Sequence, residues 1–494
     1  MMLLLLLFLV PLLLLCKNKF FIRVSKLPPG PNLLQFLWNI SQFGKEPHIA
    51  FKKLAKIYGP LISIRLGGQF MVIASSPAIA KEILRTNDKI LSGRYMPSTY
   101  YAIPRVIKSS MTMSKECNTT WKFLRGVSQH FIFSSRAVDS KGEIRKDKVT
   151  QMLNYLAEKE CQVVKLDDIV TATVSNIVTS VLASRNLYDI RSGEGHEIKH
   201  DQKVKALINE IVEAVASPGL TDLFPILRSV DFWSKRNAMV LHRKVMYVWK
   251  DIIDERRSIR HENNRNISTR DFLDVLLENA FLDDQISLLF TELLIAGTDS
   301  TIITIIWLMV ELIRNQEILH KVRHEIKQAF EGNTINESVL SGSKYFQACI
   351  KETLRLHIPG PFLVPHRAIE KCKIDNYIIP KDSMILVNAW AIQVDPNNWK
   401  EALVFKPERF LDSKIDFRGT HFEFIPFSAG QRMCPGFNMG FRNIQLVVAC
   451  LVHYFDWSLP NGLAPNKLDT NDKFVTTLKR EKPLCLIPTP RKKW

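Results

Sequence analysis

Residues 427–436 read Phe-Ser-Ala-Gly-Gln-Arg-Met-Cys-Pro-Gly, and Cys434 among them is placed to bind a transition metal. A cysteine ligates as thiolate, which needs help to lose its proton. Cys434 stands at the start of an apolar helical stretch, residues 436–454, with Pro435 suited to a first helical position. Helix N-termini stabilise negative charge. Gly430 and Gly436 let backbone approach a flat ligand closely. Arg432 lies two residues from the sulfur, able to pair with an anionic group beside it. The 8 cysteines are spread over 494 residues with no Cys-x-x-Cys pair, which argues against a disulfide framework and for a reducing compartment. A zinc reading of Cys434 also fails, because no other Cys or His stands at zinc spacing.

Residues 427–436 match Phe-x-x-Gly-x-Arg-x-Cys-x-Gly at every fixed position, and so resemble the haem-binding segment of the cytochrome P-450 family. Further motifs follow in that family's order. Glu352-Thr-Leu-Arg355 resembles its Glu-x-x-Arg, whose spacing puts both side chains on one helix face. Pro407-Glu-Arg409-Phe is similar to its Pro-Glu-Arg-Phe, and the resemblance implies a buried structural network of Glu352, Arg355 and Arg409. Trp121-Lys-Phe-Leu-Arg125 resembles a Trp-x-x-x-Arg pair that contacts a haem propionate. His366 stands where the family has Arg or His for the same task. With Arg432, these groups would compensate two buried carboxylates, which otherwise cost several kcal/mol each to desolvate.

Residues 296–301, Ala-Gly-Thr-Asp-Ser-Thr, resemble the family's motif over the distal face of the haem. The resemblance implies haem b with Cys434 as iron ligand, and Trp121, Arg125, Ala296, Gly297, His366, Phe427, Gly430, Arg432 and Gly436 around the cofactor. It assigns proton delivery to Asp299, Ser300 and Thr301, since a hydroxyl beside an acid passes protons through water. Ser300 takes the usual threonine position, and Ser428 and Gln431 replace residues often Gly and Arg. A thiolate pushes electron density onto iron and favours O–O cleavage. O2 is then the co-substrate, and electrons come from NADPH through a flavoprotein reductase, with cytochrome b5 as a second donor.

The elements that must position these groups are mainly α-helical with small β-sheets, the fold the resemblance also implies. Residues 284–314 form a long helix with apolar side chains all around its axis, as expected inside a large domain or a membrane. Glu292 and Asp299 within it argue against a span. It is therefore the central helix, over the haem. Residues 62–65 and 70–74 read as a hairpin around Gly67-Gly68, 77–86 as a helix, and 237–256 as helical. Residues 254–271, polar and charged, read as an exposed loop. Short strands are expected at 374–379 and 384–387, then an irregular stretch to 431, a last helix, and a strand-rich tail.

Residues 1–16 are unbroken apolar sequence, mostly Leu, followed by Lys17, Lys19, Arg23 and Lys26. Sixteen helical residues reach about 24 Å, a little short of a thin bilayer core, and snorkelling lysines extend it. Charge after the apolar run puts the amino terminus in the lumen and the body in the cytosol. The organisation expected is thus an anchor (1–16), a basic and proline-rich hinge (17–31) and one catalytic haem domain (32–494), on the endoplasmic reticulum membrane. The net charge of +18 is scattered along the chain without zinc-finger spacing or a basic helix with heptads, so membrane lipid and an acidic redox partner are favoured over nucleic acid.

The resemblance is to plant microsomal enzymes, similar to those that hydroxylate monoterpenoids or alkaloids, on segments such as Leu91-Ser-Gly-Arg94 and residues 405–412. Substrate contacts are expected from residues 100–115, 204–232 and 293–301, from Phe362, Leu363 and Val364, and from residues 475–477, including Val475 and Thr476. The expected reaction is hydroxylation of a small apolar or aromatic specialised metabolite. Oxidative coupling, rearrangement or ring closure without net oxygen insertion is the alternative. A non-catalytic haem-binding protein is the reading that Asp299, Ser300 and Cys434 together argue against.

Overall fold

The computed structural model describes residues 26–32, 44–96, 110–191, 206–208, 210–211, 231–262, 270–330 and 335–491. The apolar stretch 1–16, most of the hinge, and much of the expected substrate segments 100–115 and 204–232 lie outside the described residues.

The elements that matter for the site run in this order: α1 (Pro47–Tyr58), β1 (Leu61–Leu66), β2 (Gln69–Ala74), β3 (Gly93–Arg94), α2 (Thr119–Ser128), α3 (Gly142–Glu158), α4 (Leu166–Ala183), α5 (Phe232–Glu262), α6 (Asp283–Arg314), α7 (Gln316–Ala329), α8 (Lys344–Leu356), β4 (His366–Arg367), β5 (Met384–Val387), α9 (Phe437–Tyr454), β6 (Asp472–Phe474) and β7 (Leu478–Arg480). Helices carry the body, and the sheets are small and marginal, as expected.

Helix α6 is the axle. Its apolar residues face every direction because α4, α5, α8 and α9 pack around it. Helices α4 and α6 are long and apolar enough to cross a membrane, yet their apolar windows are 83% and 67% buried within the protein, so packing against neighbours replaces lipid. The largest cluster joins Trp307, Leu308 and Val310 of α6 to Phe346 and Ile350 of α8 and to Leu446, Val448 and Leu451 of α9. Burial of a Leu, Ile or Phe side chain stabilises by about 1.5–3 kcal/mol, so this cluster holds α9, and the cysteine loop before it, against α6.

The main sheet has the order β1-β2-β5-β4-β3. β1 and β2 form the expected hairpin, with Gly67 at φ +58. β5 joins β2 in parallel, and β4 then lies between β5 and β3, with Arg94 opposite His366. Two residues 272 positions apart in sequence thus become neighbours (366 − 94).

The expected loop at 254–271 is corrected in its first half, since α5 continues to Glu262. Several of its charges are paired with neighbouring elements. Arg256 bonds to Asp271 and Asp274, both buried at the start of the next helix, and Arg257 bonds to Asp283 at the first turn of α6. A polar run with few apolar residues is read as loop from periodicity, but here ion pairs hold the helix. The last helix begins at Phe437 with Gly436 as its cap, so Pro435 stands before the helix instead of in its first turn.

Candidate functional site

The loop before α9 is built by tight backbone bonding. Cys434 N–H donates to the Phe427 carbonyl at 2.9 Å, and Met433 N–H to that of Gly430 at 3.1 Å. Gly430 sits at φ +71, and a Cβ there would stand 2.1 Å from the Leu84 carbonyl oxygen, so only glycine fits. At Gly436 a Cβ would meet the Phe133 ring at 3.3 Å. Phe427 is half-buried between the rings of Phe417 and Phe437, at 5.1 and 6.2 Å between centroids. Burial pushes the Cys434 thiol up, while the Gly436 N–H bonded to its sulfur and the nearby Arg125 guanidinium pull it down.

Around this loop lies an unusual concentration of buried cation. Arg432 donates to the carbonyls of Ser92 at 2.9 Å, Met111 at 3.4 Å and Ser114 at 2.6 Å, and also bonds the Cys117 side chain. Arg94 donates to the carbonyls of Val364 at 2.7 Å and Thr112 at 3.3 Å. Arg125 donates to the Met433 carbonyl. Arg432 and Arg125 both lie against the Trp121 ring, at 4.7 and 5.6 Å from its centroid, and the Trp121 indole N–H donates to the Met111 carbonyl at 2.8 Å. Burial lowers all three guanidinium pKa values, that of Arg94 to about 9, with Arg432 and Arg125 adding repulsion there.

His366 completes the cluster. Its Nδ1 bonds to the Leu91 carbonyl at 2.8 Å, which puts the proton on Nδ1, and its buried Nε2 has no partner among the described residues. Burial, then the nearby Arg94, pulls its pKa down to about 3. Three guanidiniums with no salt bridge among the described residues, and an unsatisfied imidazole, share one buried region with only Asp88 and Glu292 near Arg432. This fits a ligand carrying carboxylates, because buried cations without a paired anion cost several kcal/mol each. A thiol at a helix N-terminus beside that region fits the iron of the same ligand.

Across from the loop, α6 presents one open face. Ala296 and Ser300 are exposed and Gly297 and Asp299 half-buried, while Thr298 and Thr301 are buried. The hydroxyls of Thr298, Ser300, Thr301 and Thr304 each bond to the carbonyl four residues back, at 2.7, 3.1, 3.0 and 2.8 Å. Thr301 points into the packing beside Gly440 of α9, so Ser300 alone of the expected hydroxyl pair faces open space. The Asp299 carboxylate accepts a hydrogen bond from the Thr477 hydroxyl at 2.7 Å.

The expected network forms beneath. Arg355 pairs with both oxygens of Glu352 at 2.7 and 2.8 Å, and Arg409 Nε reaches Glu352 at 2.9 Å. Glu352 and Arg355 are fully buried. Arg355 also donates to the carbonyls of Gln393 and Ala402, tying α8 to the irregular stretch before the cysteine loop.

The family model for cytochrome P-450 matches residues 28–485. The chain belongs to the cytochrome P-450 family. This P-450 is 41% identical to the probable (S)-N-methylcoclaurine 3'-hydroxylase isozyme 2 of Coptis japonica, over 94% of this chain and 93% of that one. It is 38% identical to the (S)-N-methylcoclaurine 3'-hydroxylase isozyme 1 of Papaver somniferum, over 94% and 95%. Its fold matches a zebra fish cytochrome P-450 solved with progesterone, with a TM-score of 0.74 and 22% identity, covering 90% of this chain and 99% of that one. It is a monooxygenase that uses haem b, O2 and electrons from NADPH delivered by a reductase, acting on a small-molecule substrate.

The expected substrate residues fall into two groups. Val364 is exposed, and Leu363, Val475 and Thr476 are half-buried. Phe362 is buried, packed on Phe51 and Phe474 at 5.5 and 5.7 Å between ring centroids, so it supports the loop from below. Two site residues belong to none of the chemistry-bearing motifs. Arg94 stands within Leu91-Ser-Gly-Arg94, a stretch read only for its likeness to one branch. Glu292 shows in the sequence only as a charge that keeps α6 out of a membrane.

Proposed function

We propose that this P-450 hydroxylates a small apolar or aromatic alkaloid of the N-methylcoclaurine kind, with Cys434 as the iron ligand. The observation that carries the reading is the open face of α6, where an exposed hydroxyl, Ser300, stands next to a carboxylate, Asp299, on a helix that is otherwise core. Haem bound through a thiolate supplies O2 activation. The protein's part is to hold, orient and supply protons. Trp121, Arg125, Arg432, Arg94 and His366 hold the haem carboxylates. Because the Leu91 carbonyl keeps a proton on Nδ1, Nε2 of His366 gains its own proton only against an anion. The Gly436 N–H and Arg125 favour the thiolate of Cys434 against the burial that pushes the thiol up, and bound iron would hold it in that form. Ala296 leaves room beside Ser300, whose hydroxyl passes protons drawn from Asp299. Leu363, Val364, Val475 and Thr476 line the substrate side, with the apolar character most ligand sites share.

Residues 1–16 anchor the enzyme in the endoplasmic reticulum membrane with the haem domain in the cytosol, where cytochrome b5 and lipid are further partners. Glycosylation at Asn118 or Asn336 in the native protein would refute that topology. The activity test is expression in microsomes with a plant reductase, NADPH and (S)-N-methylcoclaurine under labelled O2. A product carrying one labelled oxygen is expected; unlabelled, coupled product would overturn hydroxylation. Lack of the red-shifted haem-thiolate band in the reduced, CO-bound, haem-loaded protein would overturn the role of Cys434.

A further inference from the structure

Thr477 lies in the turn between β6 and β7, 178 residues from Asp299, yet its hydroxyl donates to Asp299 Oδ2 at 2.7 Å. The turn is held from three sides. Val475 N–H bonds to the Thr477 carbonyl at 3.1 Å, which closes the turn itself. Leu478 N–H bonds to the Pro359 carbonyl at 2.8 Å, which ties the hairpin to the segment leading to Phe362, Leu363 and Val364. The Phe474 ring packs on Phe362, as described above. β7 also packs against α6. The hairpin tip therefore touches the substrate-facing loop on one side and the acid of α6 on the other.

A carboxylate with one oxygen bonded to a fixed hydroxyl keeps a defined rotamer, and its second oxygen then has a defined direction. Proton transfer depends steeply on such direction, because donor and acceptor must stand within hydrogen-bond reach. Among the described residues, Thr477 is the side chain whose hydrogen bond orients Asp299.

We propose that Thr477 is a positioning residue for Asp299, so that the β6–β7 hairpin, which also meets substrate, sets how protons reach the cleft. This rests on the proton-delivery role given to Asp299 above. A substrate that presses on Val475 and Thr476 would move Thr477 with them, and the acid would respond to occupancy without touching substrate.

The test needs no substrate. In the haem-loaded enzyme reconstituted with a plant reductase, electrons from NADPH reduce O2 either to peroxide, with two electrons and two protons, or to two waters, with four of each. NADPH consumed, O2 consumed and peroxide formed give the partition. Thr477→Val keeps the shape and removes the donor; it should shift the peroxide-to-water ratio about fivefold towards peroxide, the factor expected for one lost hydrogen bond. Thr477→Ser should restore the wild-type ratio. The solvent deuterium isotope effect on O2 consumption should rise in Thr477→Val and return in Thr477→Ser. Combined with Asp299→Asn, Thr477→Val should add nothing, since it acts through Asp299. An unchanged ratio in Thr477→Val, with Asp299→Asn still altered, overturns this proposal alone. An unchanged ratio in Asp299→Asn overturns the proton-delivery role itself. If Thr477→Val does not load haem, Thr477→Ala is read by the same criteria.

Discussion

The Glu292 carboxylate accepts the backbone N–H of Met111 at 3.0 Å, a bond that spans 181 residues and ties α6 to the segment beneath the arginine cluster. The same carboxylate accepts Thr112 N–H at 3.3 Å and the Ser110 hydroxyl. The carbonyls of that segment, at Met111, Thr112 and Ser114, receive Trp121, Arg432 and Arg94. One acid on the distal helix thus orders the backbone that holds the cations.

Burial raises the Glu292 pKa to about 7, against the bonds from Ser110, Thr112 and Met111 that favour the charged form. A carboxyl raised in the folded state contributes most below its unfolded pKa of about 4.5, and that contribution is lost as pH rises through about 7. Glu292→Gln should therefore remove a decline in stability between these pH values, on the order of 3 kcal/mol at most. Urea unfolding of the two proteins at pH 5 and pH 8 checks it; parallel pH profiles would refute the assignment.

Ser300→Ala should release more peroxide per NADPH, because the exposed hydroxyl beside Asp299 is lost. Thr301→Ala should change that ratio little, since the Thr301 side chain is buried against α9. Equal effects from the two would remove the distinction. Proton-relay groups are worth about 100-fold or more in rate, so the difference is within easy reach of a stopped assay.

Glu352→Leu should destabilise the protein by about 3–5 kcal/mol, because it leaves Arg355 buried and uncompensated beside Arg409. Glu352 belongs to the buried network that ties α8 to the stretch before the cysteine loop, so the visible sign is lost haem retention on warming. A melting temperature within a few degrees of wild type would show that the network is expendable.

Ser428 holds a left-handed backbone at φ +64, and its buried hydroxyl has no partner among the described residues. Left-handed backbone costs a non-glycine residue about 1–2 kcal/mol, and an unmade hydrogen bond adds to that. Ser428→Gly should stabilise the haem-loaded enzyme by about 1 kcal/mol, seen as a higher melting temperature. A lower one would mean that the serine hydroxyl has a partner in the working enzyme.

Much of this protein was legible from its residues in order. Cys434 and its loop are contiguous, and the left-handed backbone at Gly430 is a local turn, although its contact with Leu84 is not. The Glu352–Arg355 spacing is one helical turn, and α6 announces itself by apolar residues on all sides. Each depends on interactions within a few residues. Arg94, Glu292 and Thr477 act across separations of 270, 181 and 178 residues, on partners that are often backbone carbonyls and N–H groups, which carry no residue type. No spacing rule reaches them. The choice between Ser300 and Thr301 likewise needed the packing of α9 on α6, because two adjacent hydroxyls look alike until one of them is buried. The sequence determined the family, the candidate ligand cysteine and the central helix; only the tertiary structure decided which hydroxyl meets open space, which cations gather around the cysteine loop, and what holds the acid.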